Sequence, residues 1–393
     1  MMARTASQHA QSYFITRLDR YIFQRTLTWI LTTIAVFTLV WIAPETLFKI
    51  LQYGNNGTMP WSEAWQLLLA TIPIIAQQTV PLSVMLGAVL LFQKLQQDQE
   101  WTAFQIAGIS PRRLLIPALC AGVCISILQW SLQETLIPWG GNTVESIEQH
   151  HGIAQKEARS FVFFDRDTIT QELKRTVFIE NLQQMPVTRS MVLRFYARAN
   201  EPGFLPLIHT LHWGSTLAWH QDGSKKTRWC MKEGRVVTLN TSGFQESQKP
   251  FQHYCEVEQN EALPQLIRLL RQNPDTMGGR TLWQLIDAMK TTGQTYDMPF
   301  FQVKLWQRIV NPLACWSFIL VGYWLSHQRP RQQKHWGLVW CAATLFLYII
   351  FQTFCHQLGI EGQIPPGFAT FLPLMGAACV AYGIKWVERY FSP

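Results

Sequence analysis

Six apolar runs constrain this chain more than any other feature. They lie near Leu27–Phe48, Trp65–Phe92, Leu114–Ile137, Trp306–Ser326, Trp336–Phe354 and Phe368–Val387. Each is long enough, as a helix, to cross a hydrocarbon layer about 30 Å thick. Backbone in lipid must satisfy its own hydrogen bonds, so each run is predicted to be a helix and not open sheet. The runs come as three, a long polar interval, then three. That order predicts an α-helical membrane protein with six transmembrane helices and one inserted water-soluble part. Charged residues make up 15% of the chain, against roughly 25% in soluble domains. The first run is longer than a signal core and lacks a small-residue cleavage site, so it is expected to remain as a span.

Basic residues give the orientation. Arg17, Arg20 and Arg25 precede the first run, and Lys94, Arg112 and Arg113 lie between the second and third. Arg329, Arg331 and Lys334 separate the fourth and fifth, and Lys385 and Arg389 close the chain. The loops Gln52–Ala64 and Cys355–Gly367 hold no Lys or Arg. By the positive-inside rule both termini are cytoplasmic, with Asp98 and Gln332 inside and Asn55 and Gly362 outside. Topology also accounts for the net charge of +8. The cations flank spans instead of forming one patch, so no nucleic acid partner is expected.

The segment from Pro138 to about Phe301 then lies outside the cytoplasm, in the periplasm of a Gram-negative cell. The chain divides into 1–141, 142–301 and 302–393. Asn142–Ala158 is polar and extends the third span as a helix. Six β-rich runs follow: Ser160–Phe164, Thr176–Leu182, Met191–Ala197, Ile208–Trp219, Thr227–Leu239 and Phe251–Val257. Turn signals such as Gln221-Asp222-Gly223 and Thr241-Ser242-Gly243 separate several of them. They predict a small β-sandwich or an open jelly roll. Two helical pieces, Leu263–Gln272 and Thr281–Thr292, lead back to the membrane.

Between the second and third spans lies the polar stretch Lys94–Arg113, KLQQDQEWTAFQIAGISPRR. Trp101, Phe104 and Ile106 among Gln, Asp and Glu suit a short helix on the membrane surface. Gly108 is expected to end it and Ser110-Pro111 to start the next helix. Such a helix can act as a lever, passing force from a cytosolic partner into the membrane. In the second span, Pro73 and Pro81 bracket Gln77 and Gln78. That pattern predicts a kinked helix whose amides face a cavity or bond a neighbouring helix.

Other chemistries lack their residues. There is no G-x-x-x-x-G-K-[ST] loop, and Gly223-Ser224-Lys225-Lys226-Thr227 lacks the upstream glycine. ATP and Mg are therefore expected on a partner chain, with no cofactor here. Neither G-x-S-x-G nor H-E-x-x-H occurs, so no catalytic residues are assigned. His209 and His212, three apart on a strand, point to opposite faces, and with His220 they make no expected metal site. Cys120, Cys124, Cys315, Cys341 and Cys379 fall in spans as apolar filler, and Cys355 sits at the outer end of the fifth. Cys230 and Cys255 lie in neighbouring β runs of an exported part, where a disulfide is permitted; sequence does not give their separation. Glu45 and Lys49, four apart, can pair on one helix face. Glu134, near the membrane edge, reads as interfacial.

Several local patterns recur in a recognisable order. They are Leu18-Asp19-Arg20-Tyr21-Ile22, Pro81-Leu82-Ser83 through Leu86-Gly87, Lys94-Leu95, Glu100, and Ala107-Gly108-Ile109-Ser110. Gln133-Glu134 with Pro138 and Asn142 follows, then Lys304-Leu305-Trp306, Asn311-Pro312-Leu313 and Ile364-Pro365-Pro366. Together they resemble the LptF/LptG permease family of the lipopolysaccharide-export ABC transporter, with Gln133 where the family has Asn. The Leu-Asp-Arg-Tyr start and the Ile-Pro-Pro approach to span six lean towards the LptG branch, while Thr46–Ser110 reads as much like LptF.

The resemblance implies that two such permeases pair around a cavity and are driven by a cytosolic LptB-like ATPase dimer. Lipopolysaccharide would enter between spans one and five of opposite partners and leave onto β-jellyroll domains. Those continue into a periplasmic bridge of LptC/LptA-like proteins. By the same analogy Gln97–Gly108 is the coupling helix, with Gln97, Glu100, Trp101, Phe104 and Gly108 its site residues. Trp101 and Phe104 are expected at the ATPase contact. Glu45 and Lys49 would border the lipid path. The family carries several cations near the lipid phosphates, whereas here that region offers Lys49, with acidic Glu45 one turn before it and acidic Glu145 beyond span three, so the charge contacts differ. Two other readings are a mechanotransmitting ABC subunit that carries no lipid and an envelope scaffold without an ATPase.

Overall fold

The computed structural model describes residues 17–57, 59–151, 161–166, 173–179, 187–195, 208–221, 227–239, 245–257, 262–270, 272–291, 297–326 and 336–390. The chain divides into two compact units, Met1–Ile147 with Val303–Pro393, and Glu148–Gln302. Among the described residues six helices are long and apolar enough to cross a membrane, and each of the six predicted runs overlaps one of them.

Span one is α1 (Arg17–Ile42), which continues through a π-helical turn, Ala43–Leu47, into α2 (Phe48–Asn55). Pro44 in that turn has no N–H to donate, which favours the change of register. Span two is α3 (Trp61–Gln97), helical throughout despite Pro73 and Pro81. After the short α4 (Glu100–Ile106), α5 (Pro111–Ser131) passes through a second π turn, Leu132–Leu136, into α6 (Ile137–His150). The third span is thus prolonged as a helix to His150, and residues 152–160 lie outside the described set. Spans four to six are described below as α9 to α11.

The α1–α3 contact rests on small and hydroxylated side chains. Ile22, Thr26, Ile30 and Thr33 are buried along α1, spaced by one helical turn. A Cβ on Gly87 of α3 would lie 2.9 Å from the Ile30 Cα. Glycine there lets the two backbones approach. The Thr33 hydroxyl donates to the Ser83 carbonyl at 3.0 Å, and the Thr38 and Thr79 hydroxyls meet at 3.2 Å. In lipid there is no hydrophobic drive between helices, and such close packing and interhelical hydrogen bonds replace it.

In the second unit, β1 (Phe161–Arg166), β2 (Leu173–Ile179), β3 (Val187–Phe195), β4 (Ile208–Gln221), β5 (Thr227–Leu239) and β6 (Gln245–Val257) make one sheet. They pair in chain order, each antiparallel to the next. Among the described residues there is no second sheet, so the sandwich gives way to the open alternative. Among the described residues each strand pairs directly with its neighbour in the sequence. Phe163, Val177, Val192 and His212 form one cross-strand row, and all four are buried.

His212 packs against Tyr254 with ring centres 4.6 Å apart and planes tilted by 43°. Burial, with the Arg194 guanidinium nearby, holds its pKa down to about 4. The imidazole is therefore neutral at ordinary pH. The side chains of His209 and His220 lie outside the described residues. Cys230 and Cys255 face each other across β5 and β6 and are bonded, with a Cα–Cα distance of 4.1 Å. Two amphipathic helices follow, α7 (Ala262–Leu270) and α8 (Gly279–Thr291), the latter burying Leu282, Leu285, Ile286 and Met289. The chain ends with α9 (Met298–Ser326), α10 (Trp336–Ile360) and α11 (Pro366–Tyr390).

Candidate functional site

The polar stretch between spans two and three folds as the seven-residue α4. Gln97 is the last residue of α3, so the helix itself is shorter than the predicted Gln97–Gly108. Asp98 and Gln99 make the turn, with Gln99 in the left-handed region at φ 60°. At the other end, the Ile109 N–H donates to the Phe104 carbonyl and the Gly108 N–H to the Gln105 carbonyl, each at 3.0 Å. This is a Schellman cap, and Gly108 holds its left-handed position at φ 80°. Ile109 and Phe104 occupy the two positions at which such caps carry apolar residues, and both pack against the buried core of the helices. Ser110 and Pro111 then open α5.

The two faces of α4 have different partners. Trp101 is only 5% exposed. Its ring lies 6.3 Å from Phe92 of α3 and 6.0 Å from Tyr323 of α9. Phe104 is half-buried on the same side. Trp101 therefore roots the helix in its own chain, and it is not available as the outward anchor expected from sequence. Thr102, Ala103, Gln105 and Ile106 form the exposed face, with Ile106 83% exposed. Beside two larger aromatics, nothing in the local sequence singles out Ile106 as the side chain left open to solvent.

Glu100 is also held within the chain. The Arg25 Nη1 donates to both of its carboxylate oxygens, at 2.6 and 2.8 Å. The Tyr21 hydroxyl lies 3.0 Å from one of those oxygens and is itself within hydrogen-bonding range of Arg25. The second Arg25 nitrogen reaches Asp98 at 3.3 Å, and Asp98 pairs with Lys94 at 2.9 Å. The base of span one and the start of α4 thus share a charged network. Arg25 read only as a topology marker in the sequence. Nothing in local spacing links it to a carboxylate on a distant helix.

A second polar group lies within the spans, where prolines free backbone carbonyls. Pro81 has no N–H for the Gln77 carbonyl four residues before it. The Gln129 side-chain amide of α5 donates to that oxygen at 2.9 Å. In the second π turn the Ile137 N–H goes to the Leu132 carbonyl, and the next residue is Pro138. The Gln133 carbonyl loses both helical donors, and Arg308 of α9 donates to it at 3.1 Å. The same guanidinium stands 4.0 Å from the Glu134 carboxylate. Gln129 and Gln133 are fully buried and Arg308 is 4% exposed. The Gln133-Glu134…Pro138 pattern is thereby given a structural role. A charged residue inside an apolar run was the available signal for Arg308.

Of the remaining candidates, Lys49 is exposed on α2. Glu45 lies in the first π turn, and its side chain falls outside the described residues.

The chain is similar to known proteins over nearly its whole length. The family described as Lipopolysaccharide export system permease LptF/LptG matches residues 20–386. The permease protein LptF of Escherichia coli K12 is 22% identical over 358 residues, covering 88% of this chain and 88% of its own. LptG of Haemophilus influenzae is 21% identical over 376 residues, covering 91% of this chain and 95% of its own. The two branch names occur at nearly the same identity, which does not favour LptG over LptF.

Proposed function

The chain belongs to the lipopolysaccharide export system permease family LptF/LptG, and from that membership we propose that it carries lipid for a machine powered by a separate cytosolic ATPase. It is a multi-pass, non-catalytic permease subunit of lipopolysaccharide transport. In the proposed arrangement it sits in the bacterial inner membrane with both termini cytoplasmic and the β unit in the periplasm. It pairs with a second LptF/LptG-type permease. An LptB-like dimer binds ATP and Mg and docks on the exposed face of α4, and LptC/LptA-like proteins receive the lipid.

The observation that carries this reading is α4. It is a rigidly capped surface helix, rooted in spans two and four by Trp101, with an unshared apolar side chain at Ile106. A scaffold without an ATPase has no use for such a lever. Against a mechanotransmitter that carries no lipid stand the two barest spans. The most apolar stretches of the first and fifth are buried over only 17% and 22% of their residues, the lowest of the six. These are the spans between which the family resemblance places lipid ingress.

The arrangement is tested by labelling single cysteines with an impermeant maleimide. Asn55→Cys and Gln363→Cys are expected to react from the outer face, and Gln97→Cys and Gln332→Cys only in inverted vesicles. Labelling of Gln97→Cys from outside would overturn the orientation and remove α4 from the reach of any cytosolic ATPase.

A further inference from the structure

We infer that Arg25 and Tyr21 are positioning residues for the coupling helix: by gripping Glu100 they make span one and α4 move as one piece. The inference rests on the coupling role proposed for α4 and adds to it the path by which force leaves that helix. Two routes are already visible. α4 joins α3 through a two-residue turn, and Trp101 ties it to Tyr323 of α9. Neither is a direct route from α4 to α1, which they reach through its packing on α3. The Arg25 network supplies that route.

Its geometry sets it apart from an ordinary surface ion pair. One guanidinium nitrogen contacts both Glu100 oxygens, the other reaches Asp98, and the Tyr21 hydroxyl completes the set. Arg25 and Glu100 are both less than one-third exposed. A lone exposed pair contributes little, whereas charge-assisted bonds in fixed geometry give orientation as well as energy. Tyr21 and Arg25, four residues apart, rise from one face of α1, so a tilt of α4 that moves Glu100 pulls on a full turn of span one.

The test is a double-mutant cycle in the full complex with ATPase and partner permease, in nanodiscs. Arg25→Gln, Glu100→Gln and the double variant are compared, with Tyr21→Phe removing only the hydroxyl. Spin labels at Thr28 on α1 and at Ala107, the exposed C-cap of α4 outside the face assigned to ATPase docking, report the distance between the helices. In the parent chain a narrow distance distribution should persist when the ATPase is trapped with nucleotide. Each single variant should broaden it and slow lipid release by about tenfold, and the double variant should be no worse than the poorer single. Tyr21→Phe should give a smaller loss of the same kind. Unchanged distributions in the single variants, or losses that multiply in the double, would overturn the link. If lipid release is absent even in the parent, the transport reading has failed, and the distance distributions still decide whether the two helices are joined.

Discussion

Replacing Trp101 by alanine is expected to dislodge α4 from its own chain, while replacing Ile106 by alanine should cost only the contact with the ATPase. The Trp101 ring packs against both Phe92 and Tyr323, whose centres are 5.2 Å from each other, and is nearly fully enclosed. Truncating a buried tryptophan removes its transfer energy and leaves a cavity, about 3–5 kcal/mol in all. The Trp101→Ala chain should melt earlier in detergent, and protease should gain access between Gln97 and Ser110. Ile106 has almost nothing to lose within the chain because its side chain is open to solvent. As a docking anchor, its truncation should cost about 2 kcal/mol, or roughly thirtyfold in ATPase affinity, with melting unchanged. Phe104→Ala should show some of each effect, since Phe104 is half-buried. Normal melting of Trp101→Ala with lost ATPase would reverse the assignment of the two faces.

A loss of comparable size is expected from Arg308→Leu. The substitution leaves the Gln133 carbonyl without the donor that replaces its missing helical partners and removes the cation beside Glu134. An uncapped buried carbonyl costs about 1–3 kcal/mol. The Glu134 carboxylate is partly exposed, so loss of its partner adds less than a fully buried charge would. A total of about 3 kcal/mol is expected, read as an earlier melt and faster hydrogen exchange along Ile137–Asn142. Arg308→Lys keeps the charge but gives up the planar fork, and should fall between the two. Unchanged exchange in Arg308→Leu would mean that the π turn is held by other contacts.

The six spans were legible in the sequence because length and apolarity alone dictate a membrane helix. The caps of α4 were legible too, since Gly108 and Ser110-Pro111 act through local backbone geometry. The helix face was not. Trp101 and Phe104 are one turn apart and share a side, while Ile106 falls well round the helix from Trp101. Periodicity separates the two faces without saying which one the chain itself covers. Arg25 looked like a topology marker for the same reason, because its carboxylate partner comes from another helix. Strand runs were readable from β-rich composition and turn signals, but whether they fold over as two layers depends on long-range pairing. Here neighbour-to-neighbour pairing left one open sheet.

This subunit itself is expected to touch the lipid it helps to move. Val36 and Leu39 on α1 are 56% and 70% exposed, on the span the account places at the site of lipid ingress. A photoreactive amino acid at Leu39, in the complex with ATPase and partner permease, should form an adduct with lipopolysaccharide that diminishes on ATP addition. The same group at Met375 of α11, similarly exposed at 62%, should give none. No lipopolysaccharide adduct at either Val36 or Leu39, with the ATPase still bound and hydrolysing, would contradict the account and leave a subunit that transmits force without carrying lipid.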